Sequence, residues 1–329
     1  MNQFSKMEKL FEVFSETANI LENELSISYL EALAETGENI FQQTIVHDVS
    51  ELVKKRLQKH YDTIKLEEFA KEDVRKAFQL SVLKGMKQAV QPNHMMTPDA
   101  VALFIGYIVN KVIENKQNLS LLDPAIGTAN LVTAVLNQLT KEATAYGVEV
   151  DETLVKLAYA NANLQQQPVE LFNQDSLQPL LVDPVDVVTC DLPVGYYPDD
   201  VTASSYKLKA DEGHSYAHHL FIEQSLKYTK EGGYLIFLIP NFLFESEEAS
   251  KLNAFLKEEA VIYGVLQLPL TMFKEEKFGK SIFIIRKKGE GVAVPKQAMV
   301  AELPSFSNKR AMQSIIQQID EWFDNQIQK

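Results

Sequence analysis

Apolar positions along this chain follow two different periods. Through residues 4–90 they recur at helical spacing, as in Leu10, Val13, Phe14 and Thr17, with little Gly or Pro and no strand-like run. That pattern predicts a helical bundle. After the breaker Gln91-Pro92-Asn93 the texture changes, and short β-rich runs alternate with helical stretches as far as Lys288. Strands are predicted at 120–124, 144–150, 169–174, 185–192, 234–240, 261–268 and 281–287, with helices at 98–114, 128–139, 152–164, 216–229 and 246–257. Such alternation implies a mostly parallel sheet covered by helices. The last two strands are separated only by 269–280, where Phe278-Gly279 signals a turn, so the seventh strand should return antiparallel. An amphipathic helix from about Asn308, carrying Ile315, Ile316, Ile319 and Trp322, closes the chain. The expected architecture is α/β: a helical N-terminal domain over 1–91, then a domain over 92–329 built on a seven-stranded, mostly parallel sheet with the last strand antiparallel.

Composition narrows the setting without naming a chemistry. The longest apolar runs, such as 234–240, are strand-length, far below the roughly 20 residues needed to span a bilayer, so no membrane partner is expected. The opening MNQFSKMEKL has no cleavable signal pattern, and the one cysteine, Cys190, cannot form an internal disulfide; both fit a reducing cytoplasm. Charge is the stronger constraint. The 45 acidic residues outnumber the 32 basic ones, for a net charge of −13, and such a field repels polyanions. A nucleic-acid partner would therefore need a local basic patch. Lys54, Lys55, Arg56 and Lys59, on a predicted helix, form the clearest one, although a solvated helix face explains them as well.

In open α/β sheets ligands bind outside the carboxyl ends of the strands. The first strand empties into Asp123-Pro124-Ala125-Ile126-Gly127-Thr128-Ala129-Asn130, a small-residue turn that lets backbone approach a ligand at a helix start. A tight connection with no ligand explains it equally well. The second strand ends at Glu149-Val150-Asp151, and Glu149 suits a carboxylate that accepts hydrogen bonds from both hydroxyls of a ribose. Asp151 is better placed to cap the next helix. After the third strand, Asp175-Ser176 offers a carboxylate that could take a proton from an exocyclic amine, or simply form an Asx turn. The fourth strand runs through the buried-looking 185–190 into Asp191-Leu192-Pro193-Val194-Gly195-Tyr196-Tyr197-Pro198. A carboxylate emerging from a sheet interior is costly unless it is hydrogen-bonded or used. The following 199–215 is a long loop of the kind that serves as a lid or binding loop. His214, His218 and His219 lie close in sequence but lack a completing cysteine or carboxylate pattern, so no metal site is expected. Cys190 reads as core.

On these residues the chain resembles the class I S-adenosylmethionine-dependent methyltransferases, and within them the N6-adenine DNA methyltransferases, closest to the modification subunits of type I restriction systems. The resemblance spans about Met95 to Lys288 and implies a Rossmann-like methyltransferase sheet with S-adenosylmethionine as cofactor. Thr97-Pro98 matches the family's helix-opening pair that holds the methionine carboxylate. Asp123 to Ala129 matches its Asp-Pro-Ala-x-Gly-x-Gly turn, with alanine in place of the last glycine. Glu149 matches the ribose acid and Asp175 the adenine-binding acid. The resemblance thus implies cofactor contacts from Thr97, Asp123, Ala125, Gly127, Thr128 and Asn130, from Glu149, Val150, Asp175 and Ser176, and from Asp191 and Pro193. The stretches 216–225, 230–233, 239–241 and 267–269 also resemble the type I subunits.

The catalytic signature of that family is Asp/Asn-Pro-Pro-Tyr/Phe, and this chain departs from it at Leu192 and Val194. Methyl transfer to an adenine amine needs two acceptors on the amine hydrogens, a role open to the Asp191 carboxylate and the Leu192 backbone carbonyl. The carbonyl does not require proline. Val194 is the larger change, because the aromatic it replaces stacks on a flipped base, an interaction worth roughly 1–3 kcal/mol. Tyr196 or Tyr197 would have to supply that face, so Asp191, Leu192, Pro193 and Tyr196 form the expected catalytic set. The expected activity is methyl transfer to an amino nitrogen of nucleic acid, DNA or RNA, or of another acceptor such as a protein glutamine. A second copy of the chain or a specificity subunit is the expected protein partner. The alternative is a degenerate relative that keeps the cofactor as a structural or regulatory ligand. A nicotinamide dehydrogenase is disfavoured because the three-glycine fingerprint is missing.

Overall fold

Caps in the sequence mark where the N-terminal helices begin. The computed structural model describes residues 3–88, 96–113, 116 and 118–326, so the Gln91-Pro92-Asn93 break lies outside the described residues. Helix α1 (Gln3–Leu25) is followed by α2 (Tyr29–Gln42), which opens with a reciprocal Ser28–Glu31 capping box. Ser50 caps α3 (Glu51–Tyr61), and α4 (Lys71–Gln88) completes the helical stretch. The alternating part begins with α5 (Asp99–Val112), β1 (Leu119–Asp123), α6 (Asn130–Leu136), β2 (Ala143–Glu149), α7 (Glu152–Leu164), β3 (Val169–Asn173) and β4 (Val185–Asp191). Next come the four-residue α8 (Asp200–Ala203) inside the expected loop, α9 (Ala217–Lys227), β5 (Thr229–Pro240), α10 (Ala249–Glu259), β6 (Ala260–Gln267) and β7 (Lys280–Lys287). Strand β8 (Met299–Glu302) and helix α11 (Lys309–Gln326) are the last elements among the described residues.

Among the described residues eight strands form one mostly parallel sheet, in the order β3-β2-β1-β4-β5-β7-β6-β8. The seventh strand is antiparallel to both its neighbours, β5 and β6. The eighth strand is a correction to the seven expected. It is only four residues long and pairs parallel with β6, Gly264 facing Met299, too short for its alternation to register as a period. Strand β5 also starts earlier than expected. Its first residues, ahead of the expected start at 234, carry Gly232-Gly233, and the β4–β5 register shifts there between Val185 and Val187, the signature of a bulge.

The chain divides into two compact units. The first comprises Met1–Leu103, Ile126–Leu139 and Gly147–Asn173. Its core joins Leu10, Phe14, Leu21, Leu33, Leu57 and Phe78 of the N-terminal helices to Leu157 and Ala160 of α7. Phe14 and Phe78 meet edge to face at 5.7 Å. Helices α2 and α7 approach so closely that a Cβ on Gly37 would lie 2.6 Å from that of Ala160. The second unit comprises Phe104–Ala125, Thr140–Tyr146 and Gln174–Lys329. In it β1, β4 and β5 run parallel, with Leu121 facing Val187 and Val188 facing Leu235. Asp186, buried in β4, accepts hydrogen bonds from Ser120, Lys116 and Lys230. Burial works against its ionisation, but these partners outweigh that and hold its carboxyl well below the usual range. No helix among the described residues is long and apolar enough to cross a membrane.

Candidate active site

In the first unit the end of β2 and the turn before α6 are locked together. Gly147 has no room for a side chain, since a Cβ there would lie 2.2 Å from Ile126 Cδ1, and the Ile126 N–H donates to the Val148 carbonyl at 3.0 Å. That brings Glu149 to the turn. Its Oε2 accepts from the Gly127 N–H at 2.9 Å, and its Oε1 accepts from the Val150 and Asp151 N–H groups at 2.9 and 3.0 Å. Three backbone donors thus fix the orientation of the carboxylate. Gly127 has φ +55° with open space where a side chain would stand, and Ala129, at the position of the missing glycine, takes the left-handed conformation with φ 59°. The Thr128 carbonyl is held by Asn161 at 2.9 Å. Val150 is exposed, and Asp151 caps α7 through the Leu154 N–H.

Thr97 and Asn130 lie together in the same unit: Asn130 Nδ2 donates to the Thr97 carbonyl at 3.3 Å, and both side chains are buried. Behind them sits Arg75, from α4, whose Nη1 donates to Asn130 Oδ1 at 2.7 Å. Sequence reasoning missed Arg75. An arginine in a helical bundle carries no signal of what it will meet 55 residues later.

The second unit holds the other strand ends. Asp123 is buried, and its Oδ1 accepts from the Ala125 N–H at 3.1 Å. Ser176, also buried, donates to the Pro124 carbonyl. Asp175 does form an Asx turn, with Oδ1 accepting from the Leu177 N–H at 2.9 Å, while Oδ2 accepts from the Tyr197 hydroxyl. Burial and then the Asp175 carboxylate push the Tyr197 hydroxyl pKa far up, so it stays a donor. Asp191, at the end of β4, accepts from Lys280 Nζ at 2.5 Å, with both side chains largely buried. Lys280 is the second residue missed. It opens β7, whose antiparallel return puts it opposite Pro240 at the carboxyl end of β5.

The loop after Asp191 separates its residues. The Leu192 N–H continues the sheet by donating to the Leu238 carbonyl at 3.1 Å, and its side chain is buried. Gly195, with φ +140°, makes a turn reserved for glycine. Tyr197 is 7% exposed and faces Asp175, whereas Tyr196 is 65% exposed and Val194 49%. Tyr196 stacks on Tyr216 at 5.1 Å, 18° between ring planes, and hydrogen bonds from the Tyr197 N–H to the Ser215 carbonyl and from the Ala217 N–H to the Gly195 carbonyl hold the two segments together. Of the two tyrosines the sequence offered, only Tyr196 presents a ring to solvent. His218 and His219 are buried behind Tyr216, and neither ring nitrogen of His218 has a partner. Burial, then the neighbouring His219, lowers the His218 pKa to about 3; burial lowers that of His219 to about 4. His214 is exposed and pairs with Asp200, and no cluster of metal-ligating side chains occurs among the described residues. Cys190 is fully buried, and burial, then the Asp123 and Asp191 charges, push its thiol pKa up, which makes it a poor nucleophile.

Comparison with known proteins adds to this picture. Residues 85–327 match the family model described as N-6 DNA Methylase, and residues 8–86 match the YtxK N-terminal helical domain. An uncharacterized protein of Bacillus subtilis (strain 168), YtxK, is 52% identical over 95% of this chain and 96% of its own length. A Listeria monocytogenes chain of known crystal structure, described as a candidate class I S-adenosylmethionine-dependent methyltransferase, is 47% identical with a TM-score of 0.91, covering 97% of this chain and 99% of that one. The methyltransferase subunit of a type I restriction-modification system from Streptococcus thermophilus shares the fold, with a TM-score of 0.67 at 15% identity over 95% of this chain and 74% of that one.

Proposed function

Since this chain belongs to the N-6 DNA methylase family, we propose that it is an S-adenosylmethionine-dependent methyltransferase that acts on an amino nitrogen, with residues 92–329 as the catalytic domain and 1–91 as a helical N-terminal domain. The observation that carries this reading is the Glu149 carboxylate, oriented by the N–H groups of Gly127, Val150 and Asp151 at the end of β2. A pre-oriented strand-end carboxylate beside an open glycine turn fits a nucleoside ribose. Glu149 takes the ribose hydroxyls, Asp175 with Ser176 the adenine end, and Thr97, Asn130 and the turn from Asp123 to Thr128 the methionine end. The bound cofactor supplies an electrophilic methyl group.

The chain's own residues orient the acceptor. Asp191 accepts a hydrogen of the acceptor amine and the Leu192 backbone carbonyl a second, with Pro193 stiffening the turn. The Lys280 ammonium beside Asp191 fixes the rotamer of that carboxylate. Tyr196, stacked on Tyr216, offers a flat apolar face beside exposed Val194. Such a face suits an unpaired base of DNA or RNA. The single buried cysteine fits a cytoplasmic setting. Labelled S-adenosylmethionine incubated with DNA, RNA or cell extract tests the assignment. Transfer should occur with the wild type and fall at least a hundredfold in Asp191→Ala, a general-acid-base-sized loss; transfer that survives that change would overturn the role of Asp191.

Two observations favour a second reading. Lys280 already occupies Asp191, and Val194 stands where the family has an aromatic. A relative that binds the cofactor as a regulatory ligand would keep the cofactor residues and tolerate both features. Tight cofactor binding with no acceptor in any extract is its expected signature, and robust turnover excludes it.

A further inference from the structure

Arg75 is fully buried, yet it lies on α4, in the helical N-terminal region, far in sequence from every residue assigned to the cofactor. A buried guanidinium is expensive unless all its donors are used. Here two of its contacts stay on its own helix and two reach beyond it. Nε and Nη2 form a two-pronged pair with Glu72 at 2.8 and 2.6 Å, Nη2 also reaches Asp99, and Nη1 donates to Asn130 Oδ1 at 2.7 Å. Asp99 opens the helix that follows Thr97-Pro98, and Asn130 in turn donates to the Thr97 carbonyl. One planar fork thus sets both segments that the proposed function gives to the methionine end. Glu72 extends the same scaffold, since it accepts from Asn137, which bonds Gln165, which bonds the Asn161 that holds the Thr128 carbonyl. Burial opposes ionisation of Glu72, but the Arg75 hydrogen bond and charge prevail and lower its pKa.

We propose that Arg75 is a positioning residue of the cofactor site, through which the N-terminal helical region sets the Thr97–Asn130 subsite and so selects for a ligand that carries the amino-acid end of the sulfonium nucleoside. This rests on the proposed function above. Arg75 does not touch the ligand, because none of it reaches the surface. It acts by geometry, which is why lysine, a point charge without the fork, cannot replace it.

The test compares two probes by calorimetry on the full chain: S-adenosylhomocysteine, which keeps the amino-acid end, and 5′-methylthioadenosine, which lacks it. In Arg75→Lys the affinity for S-adenosylhomocysteine should fall about tenfold or more, the scale of one lost charge-assisted hydrogen bond, while that for methylthioadenosine stays within about twofold. Should Arg75→Lys not fold, Asp99→Asn, which weakens the grip on the guanidinium without emptying the core, should show the same selective loss at smaller size. Equal losses for both probes, or an unchanged affinity for S-adenosylhomocysteine, would overturn the proposal by making Arg75 purely structural. Wild-type protein that binds neither probe would overturn the cofactor reading itself, an outcome distinct from either.

Discussion

Two sets of charged or chargeable side chains decide how individual residues behave here. Asp191 and Lys280 are largely buried and face each other at 2.5 Å, so neutralising one strands the other in a poor solvent for charge. Asp191→Asn should lower stability by about 1–3 kcal/mol, the cost of an unsatisfied buried partner, read from a denaturant midpoint at unchanged slope; no loss would mean that the pair is solvated. The histidines set a pH dependence. His218 and His219 have folded pKa values of about 3 and 4, below the ordinary 6.5 or so of an unfolded chain. Their stabilising effect is complete above that unfolded value and is lost as pH falls through the window toward 4 and 3, because the unfolded chain takes up protons first. By pH 5 the loss should be about 2 kcal/mol for each ring. Replacing His218 by phenylalanine, among Tyr216, Phe242 and His219, removes one titration and two unpartnered nitrogens. The variant should be more stable than the wild type at pH 5, with a shallower acid slope; an unaltered slope would show that His218 is protonated in the fold.

At the level of elements, strand positions were legible because their runs are short and rich in β-branched residues, as in β4 with Val185, Val187, Val188 and Thr189, and end in an acid or a turn residue. The antiparallel return of β7 was readable from the shortness of its connection and Phe278-Gly279. The four-residue β8 was not, and neither was the bulged start of β5, whose two glycines imitate a turn. The strand-end placement of Asp123, Glu149 and Asp191 could be read from the chain, but their partners could not. Tyr197 turns in to Asp175 and Lys280 meets Asp191 through long-range packing that no local period encodes. Helix partners were equally hidden. The amphipathic stripe of α2 says that it packs, not that Gly37 meets Ala160 of α7. With a Cβ 2.6 Å from that of Ala160, Gly37→Ala forces the two helices apart. It should cost about 1–3 kcal/mol, the usual range for overpacking, whereas an exposed helical Gly→Ala would stabilise; urea unfolding distinguishes the signs.

For the whole molecule, the net charge of −13 governs how it meets a polyanion. Helix α3 departs from that field, with Lys55, Arg56 and Lys59 exposed on it and Leu52 beside them. If the acceptor is a nucleic acid, reversing those three charges should weaken binding and flatten its dependence on salt by nearly one logarithmic unit of slope for each phosphate no longer neutralised; unchanged slopes would return the cluster to a solvated helix face. Everything proposed for the acceptor depends, however, on the cofactor. The most direct test of its binding is a calorimetric titration of S-adenosylmethionine into the wild-type chain and Glu149→Ala. One molecule should bind per chain, with an affinity at least tenfold weaker once the carboxylate is gone, about the worth of a hydrogen bond from a charged group. Absence of uptake by the wild type, or equal affinity in both proteins, would contradict this reading.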